Sequence, residues 1–286
     1  MTLGRNVSSF LFFGLVGCCV AFDLFTRLHI FPLLIFVSAS VATLEAVKLT
    51  GASGAKPWRL GVWALVMTFV VDGWLGGLAH FGLITMVAVI GLFAHALTRP
   101  VAGAAANLGA ALLATLWVGL GFGSILALWS WNGPEGVTRD GRFLVVFLLA
   151  AAWPQDIFAL WVGTVIGRRR LAPVISPKKS VEGSIAGFLA SCGFGLAVWG
   201  LFTVVPGFRG LIEMRWWDAL VLGALFGSLG QIGDLSESLL KREAGVKDSG
   251  FTATGHGGML DIVDSLLFCA PAMMLWALAR GLWMFA

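Results

Sequence analysis

Nine long apolar runs limit what this chain can fold into. They lie at about residues 8–26, 28–47, 59–77, 79–97, 105–130, 143–166, 184–205, 217–235 and 264–285, and each approaches or exceeds the ~20 apolar residues that carry a helix across a bilayer. The runs are continuous and rich in Leu, Ala and Gly, without the two-residue alternation of a membrane β-barrel. The sequence therefore predicts an all-α polytopic integral membrane protein with about nine transmembrane helices. Composition excludes the alternatives. Of 286 residues, 58% are hydrophobic and 12% are charged, about half the charged share of a soluble domain, so a water-soluble globule, a coiled coil and a disordered chain all fail. The 38 glycines follow no three-residue period, which removes a collagen-like array.

Lys and Arg in the connections set the orientation. With the N-terminus cytoplasmic, nine spans place 13 basic residues inside, including Arg168, Arg169, Arg170, Lys178, Lys179, Lys241, Arg242 and Lys247, and six outside. The C-terminus is then outside, and the two longest polar connections, 167–183 and 236–263, share the cytoplasmic face. The net charge of +4 is thereby a matter of orientation and of contact with anionic headgroups, and needs no nucleic-acid partner. Arg5 precedes the apolar SSFLFFGLVGCCVAF, but Asp23 and a second run follow with no A-x-A-like cleavage site, so the segment reads as a first helix. The lack of an Arg- and Ser-rich start points to a bacterial inner membrane. Cys18, Cys19, Cys192 and Cys269 sit in apolar stretches without C-x-x-C spacing and read as packed or lipid-facing thiols.

Polarity is uneven along the chain. Ten of the 15 acidic residues fall between Asp156 and Asp264, so residues 1–150 read as a transmembrane scaffold and 151–286 as the catalytic region. Charge at membrane depth costs a few kcal/mol unless paired, hydrated or metal-bound, which makes such a cluster a functional candidate. In GQIGDLSESLLKREAGVKDSGFTATGHGGMLDIVDS, starting at Gly230, residues Asp234, Glu237, Ser238 and Lys241 stand at i, i+3, i+4 and i+7, on one face of a helix. Asp261 and Asp264 stand at i and i+3 at the start of the ninth run. Carboxylates from two helix ends suit Mg²⁺, which takes few oxygen ligands and leaves room for phosphate oxygens. Gly257 and Gly258, just ahead of a helix, let backbone N–H groups approach an anion. Taken singly, Asp261 and Asp264 also read as helix caps, His256 as a surface histidine, and Lys241, Arg242 and Lys247 as orientation charges. Their concentration in one window favours a site. His29, His80 and His95 lack such company and read as structural.

This window resembles the signature of the phosphatidate cytidylyltransferases (CDP-diacylglycerol synthases), S-x-x-K-R, four residues, K-D-S-G, then G-H-G-G-x-x-D-R-x-D-S. The matching positions are Ser238, Lys241, Arg242, Lys247, Asp248, Ser249, Gly250, Gly255, His256, Gly257, Gly258, Asp261, Asp264 and Ser265. GQIGDLSES is similar to the family's G-D-L-x-E-S, and ISPKKSVEGSIAG, from Ile175 to Gly187, to its I-S-P-K-K-T-x-E-G loop. Upstream the similarity is one of type, a series of spans with Glu45 at the end of the second. Departures are Ile262 in place of the usual Arg, Ala253 and Thr254 before Gly255, and Asp156-Ile157-Phe158-Ala159-Leu160 in place of D-T-x-A-Y; the chain has no Tyr. The lost Arg removes a donor fork suited to phosphate. The charge would then be met by Arg168, Arg169, Arg170, Lys178 or Lys179, or the lipid substrate would differ.

The resemblance implies condensation of CTP with phosphatidate to CDP-diacylglycerol and pyrophosphate. It further implies Mg²⁺ on Asp234, Asp261 and Asp264 with Glu237 and Asp248 beside them, and room for a second cation. Lys241, Lys247, His256 and the Gly257–Gly258 backbone would contact the triphosphate, with Ser238 and Arg242 nearby. Ser176, Lys178 and Lys179 would close over CTP or the lipid headgroup, oriented by Glu182. A phosphate nucleophile is already ionised, so no strong general base is required. A homodimer is also expected from the resemblance. Other classes fit less well: a transporter would show inverted repeats and a channel a symmetric pore ring, whereas a non-catalytic lipid-binding protein would keep the basic loops without needing the carboxylates.

Overall fold

The computed structural model describes residues 2–26, 28–52, 54–131, 140–209, 214–250 and 257–280. A helix lies over each of the nine apolar runs. They are α1 (Thr2–Thr26), α2 (Ile30–Gly51), α3 (Arg59–Gly76), α4 (Phe81–Ala96), α5 (Ala104–Ser130), α6 (Arg142–Ile166), α7 (Val181–Val204), α8 (Trp216–Glu243) and α10 (Leu266–Ala279), with a four-residue turn of helix, α9 (Leu260–Val263), before the last. Among the described residues six of these, α2, α3 and α5–α8, are long and apolar enough to cross a membrane; α4 and α10 are shorter apolar helices, and Gly14–Thr26 is an apolar part of α1. Large apolar side chains such as Leu33, Leu75, Val165, Leu189 and Val204 are exposed. In water they would form an unfavourable surface; against acyl chains they match their solvent. The chain is an integral membrane protein.

The purely helical expectation needs one correction. Arg170–Ala172 (β1) and Ser176–Ser180 (β2) pair antiparallel, with Arg170 opposite Ser180 and Ala172 opposite Ser176. The pair is held at both ends. Val181 N–H donates to the Arg169 carbonyl at 2.9 Å. The Ser180 hydroxyl caps α7 by accepting the Gly183 amide, and Glu182 accepts the amides of Arg168 and Arg169. The short strands thus belong to the start of α7, which lends its first turn to the polar connection 167–183.

The chain forms two compact units, each discontinuous in sequence: residues 1–127 with 240–263, and residues 128–239 with 264–286. In the first, α2 packs on α1, α3 and α9, and α3 on α4. Gly73 on α3 meets the Gly123 backbone of α5, where a Cβ would collide with the carbonyl; small residues allow such close helix approach in membranes. Asp23, buried, accepts the Phe31 amide at 2.7 Å and so caps the start of α2.

In the second unit α6 lies along α7, and α10 also contacts α6. The glycines of α8 make its close contacts: Gly223 and Gly227 meet the α7 backbone at Cys192 and Phe188, Gly230 the Gln155 side chain, and Gly233 the Asp264 carbonyl. Gln231 ties α8 to α7 by accepting from the Ser184 hydroxyl and donating to the Ser184 carbonyl at 2.9 Å. Pro154 lies inside α6, one residue before Gln155 and Asp156, and lacks the amide that would serve the Ala150 carbonyl. This packing brings one polar stretch each of α6, α8 and the α10 entry into the same unit.

Candidate active site

The predicted residues fall into two polar clusters, one in each unit. In the second unit Asp234 of α8 pairs with Lys179 of the β2 strand and faces the Ser238 hydroxyl at 3.4 Å. Asp156 of α6 feels the charges of both Asp234 and Lys179, and accepts from the Gln155 amide at 3.1 Å. The Ser265 hydroxyl stands between two carboxylates, 3.4 Å from Asp156 Oδ2 and 3.2 Å from Asp264 Oδ1. A hydroxyl has one proton, so it serves only one of them at a time. Asp264 also accepts the amide of its neighbour Ser265 at 2.6 Å, and α10 begins after Ser265 without a side-chain cap. Glu237 is buried at 1% exposure. Ser176 is half-buried on the strand pair and Lys178 is exposed. Glu182 accepts the Arg168 and Arg169 amides.

In the first unit Asp261 is the hub. Lys241 Nζ lies 2.5 Å from its Oδ1, while its Oδ2 accepts from the Ser249 amide (2.9 Å), the Ser249 hydroxyl (2.8 Å) and the Gly258 amide (2.6 Å). Burial alone would raise the Asp261 pKa, but the Lys241 charge and hydrogen bond and the two amides outweigh it and hold the carboxyl below its ordinary value. The Gly258 N–H, expected to face a triphosphate, is thus donated to an internal carboxylate. Arg242 and Lys247 are exposed, Asp248 is half-buried, and Gly257 takes the left-handed φ of +77° that glycine tolerates. His256 lies outside the described residues, as do Ala253, Thr254 and Gly255.

Two residues not singled out as ligands or contacts from sequence enter these clusters. Asp156 was visible only as the first residue of a departed motif. Glu45 is a carboxylate near the end of an apolar run, the signal that marks such a residue for attention. It is 2% exposed and accepts the Leu260 amide at 2.8 Å.

The donor chemistry bears on Mg²⁺. Among the described residues no three His, Cys, Asp or Glu side chains gather closely enough to enclose an ion. Mg²⁺ commonly uses one or two carboxylates and completes its shell with water and phosphate oxygens. Asp156 and Asp264, held around one hydroxyl with Asp234 acting on Asp156, fit that demand in number and in hard oxygen character. Asp261 does not, because Lys241 and the Ser249 and Gly258 donors already occupy its oxygens.

A phosphatidate cytidylyltransferase of Synechocystis is 41% identical over 145 residues, covering 50% of this chain and 45% of the relative. One of Brucella abortus is 39% identical over 156 residues, 54% of this chain and 53% of the relative. The uncharacterized protein YnbB of Escherichia coli is 37% identical over 155 residues, 54% and 49% respectively. The aligned segment spans about half the length of the curated relatives it matches. The profile of the cytidylyltransferase family, by contrast, matches residues 5–279, nearly the whole chain from the first helix through α10, and the chain belongs to the cytidylyltransferase family.

Proposed function

We propose that the protein is a membrane nucleotidyltransferase that condenses CTP with phosphatidate to give CDP-diacylglycerol and pyrophosphate. The observation that carries the reading is the grouping, in a family member, of Asp156, Asp264, Asp234 and Lys179 around the Ser265 hydroxyl and the α8 face. A phosphatidate oxygen attacks the α-phosphorus of CTP; the bond from that phosphorus to the bridging oxygen of the β-phosphate breaks, and pyrophosphate leaves with the electron pair. Both reactants are anionic, so the protein must bring them together against their repulsion. Asp264 and Asp156 would hold Mg²⁺, with Asp234 acting on Asp156 from beside them; the ion when bound offsets phosphate charge and steadies the leaving group. Lys179 is placed to exchange Asp234 for a phosphate. Lys247, Arg242, Lys178 and the Arg168–Arg170 run offer exposed cations for the triphosphate or headgroup.

An apolar groove of about 480 Å³ is lined by Phe158 of α6 and by α7 residues including Ala190 and Phe194. It would offer acyl chains an apolar surface on the unit that holds the carboxylates. The reading extends to nine spans with a cytoplasmic N-terminus, an outer C-terminus, a cytoplasmic active face in a bacterial inner membrane, a second cation and a homodimer. The charge bias of the loops supports the orientation, and the helix over each apolar run supports the span number. Ile262, where the family usually has Arg, favours a second reading, in which CTP reacts with a different lipid phosphate. Purified protein with Mg²⁺, labelled CTP and a panel of phospholipid acids should yield a lipid-extractable CDP product with phosphatidate. Product only with another acid would select the second reading, and binding without turnover would select a lipid-binding protein.

A further inference from the structure

The first unit contains a buried carboxylate that the reaction above does not use. Glu45 lies near the end of α2, about 200 residues from the connection between α8 and α9, yet among the described residues its hydrogen bonds run to that connection and to the first residue of α9. Its Oε2 accepts the Leu260 amide at 2.8 Å, and the Met259 amide also donates to it. The Ser249 hydroxyl is 3.4 Å away, although that proton is better placed on Asp261 at 2.8 Å. One turn further along α2, Lys48 Nζ reaches the Gly250 carbonyl at 3.5 Å.

Gly258 sits directly on this carboxylate. A Cβ there would come within 2.6 and 2.7 Å of the two Glu45 oxygens and would also strike the Ser249 hydroxyl. A Cβ on Gly250 would meet the Gly257 carbonyl at 2.7 Å. The glycines therefore permit a membrane helix to grip both described stretches of the connection, Lys247–Gly250 and Gly257–Leu260. A buried acid that satisfies two successive amides at a helix start also removes the cost of leaving them unpaired.

We infer that Glu45 is a positioning residue: it anchors the Gly257–Leu260 stretch to α2 through the Met259 and Leu260 amides, and thereby sets how that stretch meets the nucleotide. The inference rests on the transferase reading for its kinetic consequence but not for the anchoring itself. In Glu45→Ala the Met259 and Leu260 amides lose their acceptor. The connection then loosens, while the lipid groove and the carboxylates of the second unit are untouched. The expected result is a KM for CTP raised about tenfold, with kcat and the KM for phosphatidate changed by less than about threefold. Glu45→Gln keeps one acceptor oxygen of the same reach and should restore most of the lost CTP affinity.

The test pairs kinetics with amide hydrogen exchange on detergent-solubilised protein. Exchange in a peptide covering Gly257–Leu260 should speed at least tenfold in Glu45→Ala, with peptides from α6 and α7 unchanged. Unchanged exchange at Gly257–Leu260, or a CTP KM equal to wild type in an active enzyme, would overturn the inference; so would equal rises in both KM values, which a general loss of fold would produce. Should Glu45→Ala fail to fold, Glu45→Met, which keeps the bulk but offers the Met259 and Leu260 amides no oxygen, must show the same changes, and wild-type values there would equally overturn it. A wild type that makes no CDP-lipid would refute the transferase reading alone, and the exchange result would still decide the anchoring.

Discussion

Each unit holds a serine hydroxyl between two carboxylates, one from a membrane helix and one from the α9–α10 region. In the first unit Ser249 stands between Glu45 and Asp261; in the second Ser265 stands between Asp156 and Asp264. The surroundings differ. Four backbone amides and Lys241 converge on Glu45 and Asp261. Asp156 has a neutral side-chain amide and a share of one hydroxyl, and the nearby lysine is placed on Asp234. The same residue types thus do different work. Carboxylates that accept from several protein donors hold a chain in place, whereas Asp156, which accepts from one neutral amide and a shared hydroxyl, retains oxygens for a cation and its phosphate.

This contrast can be broken by exchanging charge for amide at matched positions. Asp264→Asn and Asp234→Asn should each cost about 100-fold or more in CDP-lipid formation with little loss of folded protein, measured as product per unit of monodisperse enzyme. Asp156→Asn should cost about 10-fold to 100-fold and raise the Mg²⁺ concentration needed for half-maximal rate. Asp261→Ala breaks a buried ion pair with Lys241, so its main effect should be on stability, a loss of about 3 kcal/mol seen as a lower denaturation midpoint. A stable Asp261→Ala with abolished Mg²⁺ response would instead return Asp261 to the cation.

Smaller effects sharpen the same point. Gly258→Ala should perturb the Glu45 contact and raise the CTP KM several-fold, without altering the Mg²⁺ requirement. The depressed Asp261 pKa gives a pH signature. Its stabilisation is fully present above the ordinary aspartate value, about 3.9, and is lost as pH falls through the lower folded value. Thermal stability of wild type relative to Asp261→Asn should therefore stay constant from pH 8 to about 5 and narrow only in stronger acid.

Much of the helical frame was legible because a membrane span is written as an unbroken apolar run. A helix appears over all nine, and α8 continues to Glu243, as the face shared by Asp234, Ser238 and Lys241 requires. The strand pair at 170–180 was not legible. Its residues RLAPVISPKKS alternate in no useful way, and its pairing depends on Glu182 and Ser180 at the start of α7. The two units divide the chain at other places than residue 150, because contacts, not order along the chain, define them.

At the site, sequence spacing identified most of the polar residues but not their partners. Asp261 and Asp264, three residues apart, looked equivalent, and only tertiary structure gives one of them Lys241 and the other the hydroxyl shared with Asp156. Glu45 and Leu260 meet across 215 residues, a separation no local pattern reports. Asp156 survived as one residue of a motif whose other positions had changed, and its use of Ser265 becomes apparent only when α6 and α10 are packed together.

The central claim is that the second unit's carboxylates, Asp156, Asp234 and Asp264, support Mg²⁺-dependent transfer of a cytidylyl group to a lipid phosphate. Its most direct measurement is the rate of lipid-extractable CDP product from labelled CTP and phosphatidate, for wild type and Asp264→Asn across a Mg²⁺ titration. The account predicts saturable, Mg²⁺-dependent product for wild type and near-background product for Asp264→Asn at every Mg²⁺ concentration. Near wild-type product from Asp264→Asn, or wild-type product insensitive to removal of divalent cations, would contradict it.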